Sequence, residues 1–313
     1  MKDFAVFLVT YNSSKDFLGC ITSMKKNKSA TYDVYVLDNN SQDDTPELIK
    51  KNIRKERYIL ASTNTGYAGG HNKLLKYIDL KKYRYILFLN PDTRVAPDLF
   101  TELKKAFVDH SHAGIVSPAI VDYDNTIDSI GGKYLFWTGT TMGNRYGEKY
   151  KKSNDLYQCF WASGAALAIR TDVIKKLGGF ENYFMFYEDV DLAWRVHSAG
   201  YNVLATAKTY VKHKQGGSTS DRSWALHLNE RNRIICHYQN LSPITFYLCL
   251  PLLLVARILL LKNYASNSKT IFAKLRGLRD AFLMLPSYKR HSNVDLQKEW
   301  GTILSMLKCD TVA

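Results

Sequence analysis

Three acidic residues, Glu188, Asp189 and Asp191, stand within four positions and directly follow the apolar and aromatic run Phe184-Met-Phe-Tyr. An apolar wall raises the pKa of a carboxyl group because it solvates the charged form poorly, and neighbouring acids raise it further by repulsion. Such a carboxylate suits a general base that takes a proton from a hydroxyl group. The three acids are therefore the candidate catalytic residues. The alternative is an ordinary helix start, where acids favour the positive end of the helix dipole.

Two segments nearer the N-terminus carry groups suited to a nucleotide. Asp38 follows an apolar run and precedes Asn39-Asn40-Ser41, and a carboxylate there can accept the imide N–H of a uracil or thymine base. Residues 64–72 are rich in glycine and precede a basic helix predicted over residues 73–77. Glycines let backbone amides approach a phosphate or a sugar. Taken alone, Asp38 fits a turn better, and residues 64–72 lack the ending of a P-loop.

The segment Asn90-Pro91-Asp92 follows another apolar run. A single carboxylate at the end of a strand can hold a hard divalent cation, because Mg²⁺ usually takes one or two protein carboxylates and completes its coordination with phosphate oxygens. His213 offers an imidazole as a further ligand. We therefore predict that Asp92 and His213 bind Mn²⁺ or Mg²⁺. The plainer alternatives are an Asp in a proline turn and a histidine that binds no metal.

The elements that position these residues are predicted from three short apolar runs, 5–9, 34–37 and 85–89. Continuous apolar runs of this length are typical of parallel strands buried on both faces, and Pro46 favours a helix start between two of them. Polar residues follow each run, at the edge where ligands bind in open α/β sheets. The sequence thus predicts an α/β fold with a mostly parallel central sheet. The looser, glycine-containing stretch 116–152 predicts irregular strands and loops that contact an acceptor.

The C-terminal region has a different character. Residues 244–261 are apolar apart from Thr245, Pro251 and Arg257, a length marginal for crossing the roughly 30 Å core of a bilayer. Residues 262–290 then hold seven Lys or Arg and a single acid. An apolar helix beside a basic stretch is typical of a segment lying on an anionic membrane surface. The alternatives are a helix packed in the core or in a dimer, and a spanning helix.

Composition narrows the class of protein. The chain has 313 residues, 46% of them apolar, which excludes general disorder. Its formal net charge of +14 suits nucleic acid, anionic lipid or phosphate-bearing ligands without choosing among them. The five dispersed cysteines indicate a reducing compartment, and the first apolar run is too short for a signal peptide. We expect a cytoplasmic protein with a catalytic domain at residues 1–235 and a helical region at residues 236–313.

Together, residues 4–233 resemble the family 2 glycosyltransferases, which are inverting nucleotide-sugar enzymes of the GT-A fold. Thr10-Tyr11-Asn12, residues 38–41 and residues 64–72 look like the nucleotide-binding segments of this family. Asn90-Pro91-Asp92 stands in the place of its Asp-x-Asp metal motif, with Asn in place of the first acid. The individual motifs are short, but their order and spacing make the set specific.

The same resemblance extends to the chemistry. Glu188-Asp189 looks like the family's Glu-Asp pair, in which the Asp is usually assigned as the base. His213, followed by Gly216-Gly217-Ser218, resembles the late histidine of the metal or diphosphate site. The implied site comprises catalytic Asp189, Glu188 and Asp191; nucleotide-sugar-binding Thr10, Tyr11, Asn12, Asp38, Asn40, Asn64, Gly66, Gly70, Asn72 and Asp92; acceptor-binding Trp161, Gly164 and Glu188; and metal-binding Asp92 and His213.

Within the family, the rhamnosyltransferases look most similar, on the segments Trp161-Ala-Ser-Gly-Ala165, 186–192 and Glu230-Arg-Asn-Arg233. The resemblance implies dTDP-L-rhamnose as donor and a lipid-linked saccharide as acceptor, in cell-surface polysaccharide assembly at the cytoplasmic face of the membrane. A homodimer is possible. The alternatives are a UDP-hexose or UDP-N-acetylhexosamine donor, a non-catalytic nucleotide-sugar or scaffold protein, and a nucleic-acid-binding protein. Against the last, the basic residues cluster beside an apolar helix instead of interleaving with aromatics.

Overall fold

The computed structural model describes residues 1–27, 30–214, 222–261, 268–291 and 296–312. The strands in these residues are β1 Lys2–Thr10, β2 Tyr32–Asp38, β3 Tyr58–Leu60, β4 Tyr83–Leu89, β5 Thr93–Val95, β6 Ala113–Val121, β7 Ile127–Ser129, β8 Gly132–Leu135, β9 Thr140–Gly143, β10 Leu156–Cys159, β11 Ala166–Arg170, β12 Asn202–His213 and β13 Cys309–Thr311. The main sheet has the order β13-β10-β12-β6-β11-β4-β1-β2-β3, with β5 beside β12 and β7 beside β6. Strands β8 and β9 form a separate small sheet.

Helices pack on both faces of the main sheet. Further helices follow β12 along the chain. Short 3-10 turns also occur, at residues 55–57, 80–82 and 285–287. The helices in the described residues are α1 Phe17–Met24, α2 Thr45–Asn52, α3 Gly66–Tyr77, α4 Leu99–Asp109, α5 Thr171–Leu177, α6 Glu188–Ser198, α7 Arg222–Asn240, α8 Pro243–Leu260, α9 Ser268–Met284 and α10 Leu296–Ser305.

The central strands run mostly in one direction, as predicted. Strands β1, β2, β3 and β4 pair in parallel, β6 pairs in parallel with β12, and β11 is inserted antiparallel between β4 and β6. Thr10 lies opposite Asp38, and Leu89 lies opposite Ala166 at the start of β11. The carboxyl ends of β1, β2 and β4 and the amino end of β11 therefore meet at one edge of the sheet, which we call the site edge.

Strand β1 is buried on both faces, which explains its continuous apolar run. Phe4 and Leu8 join a core cluster with residues of α1, α2 and α4. Ala5 and Phe7 face the other way, into a cluster with residues of α3, α5 and α6. Successive side chains of a strand point to opposite faces, so a strand between two helical layers needs apolar residues at both. The strands predicted over 5–9, 34–37 and 85–89 are confirmed with slightly wider bounds.

Helix α3 differs from the prediction. The sequence suggested a glycine-rich loop before a helix at residues 73–77, but the helix already begins at Gly66. A Cβ atom on Gly70 would lie 2.6 Å from Cγ1 of Val9. Glycine at this position therefore lets α3 lie directly on β1. The small residues that look like a loop in the sequence are there for close packing.

Helix α7 crosses the predicted boundary at residue 235 without a break. A third core cluster joins Tyr187 and Trp194 of the N-terminal part to Ile234, Phe246 and Met306. Strand β13, near the C-terminus, pairs with β10 in the main sheet. The division into a catalytic domain at residues 1–235 and a helical region at residues 236–313 stays a prediction, and the packing continues across it.

Helix α8 confirms that the apolar run near residue 244 is helical. Among the described residues it is the helix whose length and composition would allow it to cross a membrane, with a mean hydropathy of 2.1, and 28% of it is buried. Its inward face, at four-residue spacing, includes Cys249, Leu253 and Arg257. Its outward face exposes the apolar side chains Ile244, Tyr247, Leu248, Leu252, Val255, Ile258 and Leu259. Residues 262–267 of the basic stretch lie outside the described residues.

Candidate active site

The acid cluster begins α6 at the end of a strained backbone segment. Phe184, Phe186 and Tyr187 have φ angles of 69°, 69° and 72°, a left-handed conformation that is unfavourable for aromatic residues. The side-chain amide of Asn232 on α7 lies within hydrogen-bond distance of the carbonyl oxygens of residues 183, 185 and 186, at 3.2, 2.8 and 2.9 Å. Such strain persists only where surrounding contacts over-determine the conformation. Asn232 is therefore the residue that holds the segment preceding the acids.

Asp189 is partly exposed and is held at both carboxylate oxygens. Oδ2 accepts a hydrogen bond from the Gly164 amide at 2.9 Å, and Oδ1 accepts one from the Val190 amide at 2.8 Å. Burial raises the pKa of Asp189; the Gly164 and Val190 amides and the Trp161 side chain lower it, and the net shift is upward. Gly164 lies two residues before β11, so its amide fixes Asp189 at the site edge.

Glu188 is more deeply buried, with 6% of its surface exposed. Its Oε2 atom has no hydrogen-bond partner among the described residues. Burial, and after it the charge of Asp189, raise the pKa of Glu188 well above its ordinary value. The predicted rise in pKa is thus confirmed for both Glu188 and Asp189. Burial is the main cause at both residues, and repulsion by Asp189 adds to it at Glu188.

Asp191 behaves in the opposite way. Its side chain is fully buried and ion-paired with Arg195 at 2.7 Å, and Asn240 of α7 donates to its Oδ1 atom at 2.7 Å. Burial raises the pKa of Asp191, but Arg195, His291 and Asn240 lower it more, to about 2. The prediction of a raised pKa in all three acids is therefore wrong for Asp191, because this carboxylate points into a set of cationic and donor groups. Its geometry fits an anchor between α6 and α7, and its catalytic role stays a prediction.

Asp38 and Thr10 lie side by side at the site edge. Oδ1 of Asp38 accepts hydrogen bonds from Thr10 at 2.9 Å and from the Ser41 hydroxyl at 2.5 Å, and Oδ2 accepts from the Ser41 amide at 2.9 Å. These bonds fix the orientation of a carboxylate that has further acceptor capacity. The arrangement suits recognition of an N–H group on a base.

The neighbouring loop positions are mostly organised by asparagine side chains. Asn12 and Asn40 have φ angles of 49° and 65°, and Asn tolerates this conformation better than most residues. Asn12 bonds across to the segment after β2 through the Ser41 hydroxyl and the Gln42 amide. Tyr11 is exposed beside them. Thr10, Tyr11, Asn12, Asp38 and Asn40 are thus brought together, and their nucleotide-binding role stays a prediction.

The start of α3 connects the Asp38 loop to the acid cluster. Asn39 donates to the Gly66 carbonyl at 2.9 Å and accepts from the Thr65 amide at 3.1 Å, while Asn64 caps the Gly66 amide at 2.8 Å. The next contact leads to the strained segment, because the Ala68 amide donates to the Phe184 carbonyl at 3.3 Å. A Cβ atom on Gly66 would lie 2.1 Å from that carbonyl oxygen.

Two of the predicted nucleotide-binding residues have other contacts in the structure. The Asn72 side chain donates to the Phe180 carbonyl at 2.7 Å and accepts from the Phe180 amide at 2.9 Å. Gly70 lies against β1, as described above. Both residues therefore act on the packing of the site, and direct contact of either with a ligand stays a prediction.

The candidate metal site contains Asp92, Asn90 and His213. Asp92 Oδ1 and Asn90 Nδ2 lie 3.4 and 3.3 Å from His213 Nε2, because β5 and β12 pair Thr93 with His213. Burial lowers the pKa of His213, but the hydrogen bond and charge of Asp92 raise it more, so that the net shift is upward. The described residues contain no cluster of three or more acid, His or Cys ligands.

This donor set fits a cation that shares its coordination with a ligand. One carboxylate and one imidazole leave most positions open for phosphate oxygens, which is how Mg²⁺ is commonly bound. The predicted pair, Asp92 and His213, is thus brought together. The motif continuing through Gly216-Gly217-Ser218 lies outside the described residues.

Sequence reasoning missed the residues that hold the site together. Tyr67 donates to the Gly164 carbonyl at 2.7 Å and so supports the residue that binds Asp189. Asn39 and Asn232 stand in segments recognised from the sequence, but nothing there showed which backbone groups they would bind. Trp161 is placed by backbone bonds to Gly132, and its acceptor-binding role stays a prediction, as does that of Gly164.

A mostly parallel sheet with polar residues at the carboxyl ends of its strands is typical of enzymes that bind nucleotides. The glycosyl transferase family 2 model matches residues 5–178, and the chain belongs to this family. It is 26% identical over 245 residues to the N-acetylglucosaminyl-diphospho-decaprenol L-rhamnosyltransferase of Mycobacterium tuberculosis, covering 71% of this chain and 79% of that protein. It is 23% identical over 295 residues to the low-salt glycan biosynthesis hexosyltransferase Agl10 of Haloferax volcanii, covering 90% and 92%.

Solved structures share the fold at low sequence identity. The S. aureus TarS 1–349 structure with UDP-GlcNAc superimposes with a TM-score of 0.59 at 16% identity, covering 91% of this chain and 82% of that chain. The mannosyltransferase PcManGT of Pyrobaculum calidifontis, in complex with GDP-Man and Mn²⁺, gives a TM-score of 0.55 at 13% identity, covering 91% and 89%. The predicted GT-A fold is therefore confirmed.

Proposed function

We propose that this glycosyltransferase moves L-rhamnose from dTDP-L-rhamnose to a hydroxyl group of a lipid-linked saccharide, with inversion at the anomeric carbon. The observation that carries the proposal is Asp189: a partly exposed carboxylate with a raised pKa, fixed by the Gly164 amide at the site edge that also holds Asp38 and Asp92. A base whose pKa is moved toward the working pH transfers protons more effectively.

The chemistry is a single displacement. The acceptor hydroxyl oxygen attacks the anomeric carbon while the Asp189 carboxylate takes its proton. A bond forms between this oxygen and the carbon, the bond from the carbon to the donor diphosphate breaks, and its electron pair leaves with the diphosphate. Glu188, buried beside Asp189 in sequence, positions the base or the acceptor.

The donor is held along the site edge. Asp38 accepts the imide N–H of the donor's nucleobase, and Thr10 keeps the Asp38 carboxylate in place. Residues 64–66 lie between the nucleobase and the catalytic acids Glu188 and Asp189. Asp92 and His213 would hold a divalent cation, Mn²⁺ or Mg²⁺, and this cation, when bound, would offset the charge that develops on the departing diphosphate. PcManGT, a structure with the same fold, is a complex with GDP-Man and Mn²⁺.

The name of the M. tuberculosis relative supports both rhamnose as the sugar and a lipid diphosphate in the acceptor. Thermal unfolding with dTDP, UDP or GDP, each with Mn²⁺ or EDTA, tests the donor. A ligand that binds only the folded state raises stability by RT ln(1 + [L]/Kd), so we expect the largest, metal-dependent rise with dTDP. A larger rise with UDP would replace the donor by a UDP-sugar, and no rise with any nucleotide would refute the proposed function.

We further propose that the outward face of α8 lies on the cytoplasmic surface of an anionic membrane. Exposed apolar patches of this extent mark interaction sites. Basic residues of α9 and the segment after it complement anionic lipid, namely Lys269, Arg276, Arg279 and Lys289. Arg257 is turned inward to Glu230, which favours a helix lying on the surface over one surrounded by lipid.

Substitution of exposed residues tests this surface without disturbing the core that α8 shares with α7. Leu248→Glu and Leu259→Glu should abolish flotation with phosphatidylglycerol vesicles, whereas Val108→Glu, at an exposed apolar residue of α4, should not. Unchanged flotation of the α8 variants would refute the membrane surface. If light scattering instead shows a dimer that these substitutions dissociate, the face is covered by a second copy.

A further inference from the structure

A second polar cluster lies behind the acids, outside the site described so far. The Glu230 carboxylate receives Arg257 Nη2 at 2.6 Å, Arg233 Nη1 at 2.5 Å and Lys274 Nζ at 2.5 Å. All four residues are at most 7% exposed. They come from α7, α8 and α9 and line a recess of about 360 Å³ together with Thr140, Asn229 and Leu260.

The recess carries an excess of positive charge. Three cations face one carboxylate, and no second acid occurs among the described residues that line the recess. Buried charges are costly unless they are paired. An excess of two formal positive charges in a cavity of this size therefore indicates a site for an anion. Phosphate groups match guanidinium groups especially well, through paired hydrogen bonds.

The position of the recess indicates where the anion sits in a larger ligand. On one side, Arg233 Nε donates to Tyr187 Oη at 2.7 Å, and Tyr187 directly precedes Glu188. On the other side stands α8, whose outward face is apolar and exposed. A ligand that reaches from this face to the acids would place an anionic group in the recess, between an apolar chain and a sugar.

We propose that Arg233, Arg257 and Lys274 bind the phosphate groups that join lipid and saccharide in the acceptor. The inference rests on the proposed function for the class of acceptor, whereas the anion site itself depends only on the charges and the recess. The donor diphosphate is assigned elsewhere, to Asp92 and His213. Arg233 thereby couples acceptor binding to the segment that carries the catalytic acids.

The test measures thermal stabilisation by inorganic pyrophosphate and by farnesyl diphosphate, in EDTA and at matched ionic strength. EDTA suppresses metal-dependent binding of the probes at Asp92. The Asp92→Asn variant is a second control that excludes binding there. We expect both probes to stabilise the wild type and Asp92→Asn, with farnesyl diphosphate binding more tightly. Lys274→Gln should weaken both by about tenfold or more, the loss of one charge-assisted hydrogen bond. Lys105→Gln, which removes an exposed cation of α4, should not.

Each remaining outcome decides a separate point. The stability of Lys274→Gln without any probe is measured first, so that a loss of binding is distinguished from a loss of folded protein. No stabilisation of the wild type by either probe, or equal stabilisation of Lys274→Gln, would overturn the anion site. Equal affinity for the two probes would overturn the lipid source and leave a site for free phosphate. Binding of dTDP is measured in parallel, and its failure alone would refute the donor assignment while leaving the recess untouched.

Discussion

Glu188 and Glu230 are both almost completely buried, at 6% and 2% exposed, yet the net shifts of their pKa values are opposite. Burial, and after it the charge of Asp189, raise the pKa of Glu188 well above the ordinary value. Burial also raises the pKa of Glu230, but Arg233, Arg257 and Lys274 lower it to about 2. The partners of a buried carboxylate, more than its depth, decide whether it is suited to holding a proton or to holding cations in place.

The largest effect is expected on kcat, at Asp189, whose raised pKa suits the proposed proton transfer. Asp189→Asn should lower kcat by about 10²–10⁴-fold, because the amide cannot accept the proton of the acceptor hydroxyl. Transfer of labelled sugar to a lipid-linked acceptor measures this. Asp172→Asn is the matched control, since Asp172 is an exposed acid that bonds the next backbone amide at the start of α5. Normal turnover of Asp189→Asn would move the base assignment to Glu188.

The next largest effect is expected on folding stability, at Glu230, whose single negative charge faces three cations. Glu230→Gln leaves three buried cations without their counter-charge and should lower the free energy of unfolding by about 3–5 kcal/mol. Urea denaturation measures the loss, and pyrophosphate should restore stability more in this variant than in the wild type. Glu148→Gln, in an exposed pair with Arg145, should cost at most about 1 kcal/mol. Equal effects of the two substitutions would contradict the comparison.

A smaller effect is expected at the residue that joins the two regions. Asn232→Ala removes the donor that bonds three carbonyl groups before α6 and should cost about 1–3 kcal/mol. We also expect kcat to fall by roughly tenfold, because Asp189 then loses its fixed position. Asn52→Ala, on α2, is the matched control, since it removes an exposed donor to the Leu48 carbonyl one turn away. A variant Asn232→Ala that lost stability but kept full kcat would show that the strained segment does not position the acids.

The smallest effect is expected in the pH dependence of the melting temperature, at Glu188. The pKa of Glu188 is higher in the folded than in the unfolded state, so its contribution to stability is present at low pH and is lost as the pH rises through the folded value. Glu188→Gln cannot ionise and should therefore melt about 2 °C or more above the wild type at pH 8, and at nearly the same temperature at pH 4. A difference that shrinks as the pH rises would show that Glu188 is charged and compensated in the folded protein.

Much of the fold was predictable because its signals are local. The apolar runs of β1, β2 and β4 reflect burial between two helical layers, and Asp38, Asp92 and Glu188-Asp189 follow or begin regular elements. The start of α3 was predicted wrongly, because glycines that serve close packing on Val9 look like loop residues when the neighbouring strand is unknown. The pKa of Asp191 was predicted wrongly because the main lowering cause is its ion pair with Arg195, one helical turn away, and the further causes, His291 and Asn240, are far away in the sequence.

The sequence by itself determined the family, the α/β order of the elements and the identity of the acids, since these follow from residue types and their spacing along the chain. Only the tertiary structure decided which acids are held with a raised pKa, which residue holds the strained segment before α6, and that three cations surround Glu230. Protonation and strain depend on contacts between residues as far apart as Asn232 and Met185 or Lys274 and Glu230. Such contacts arise only when the helices α7, α8 and α9 pack behind the sheet.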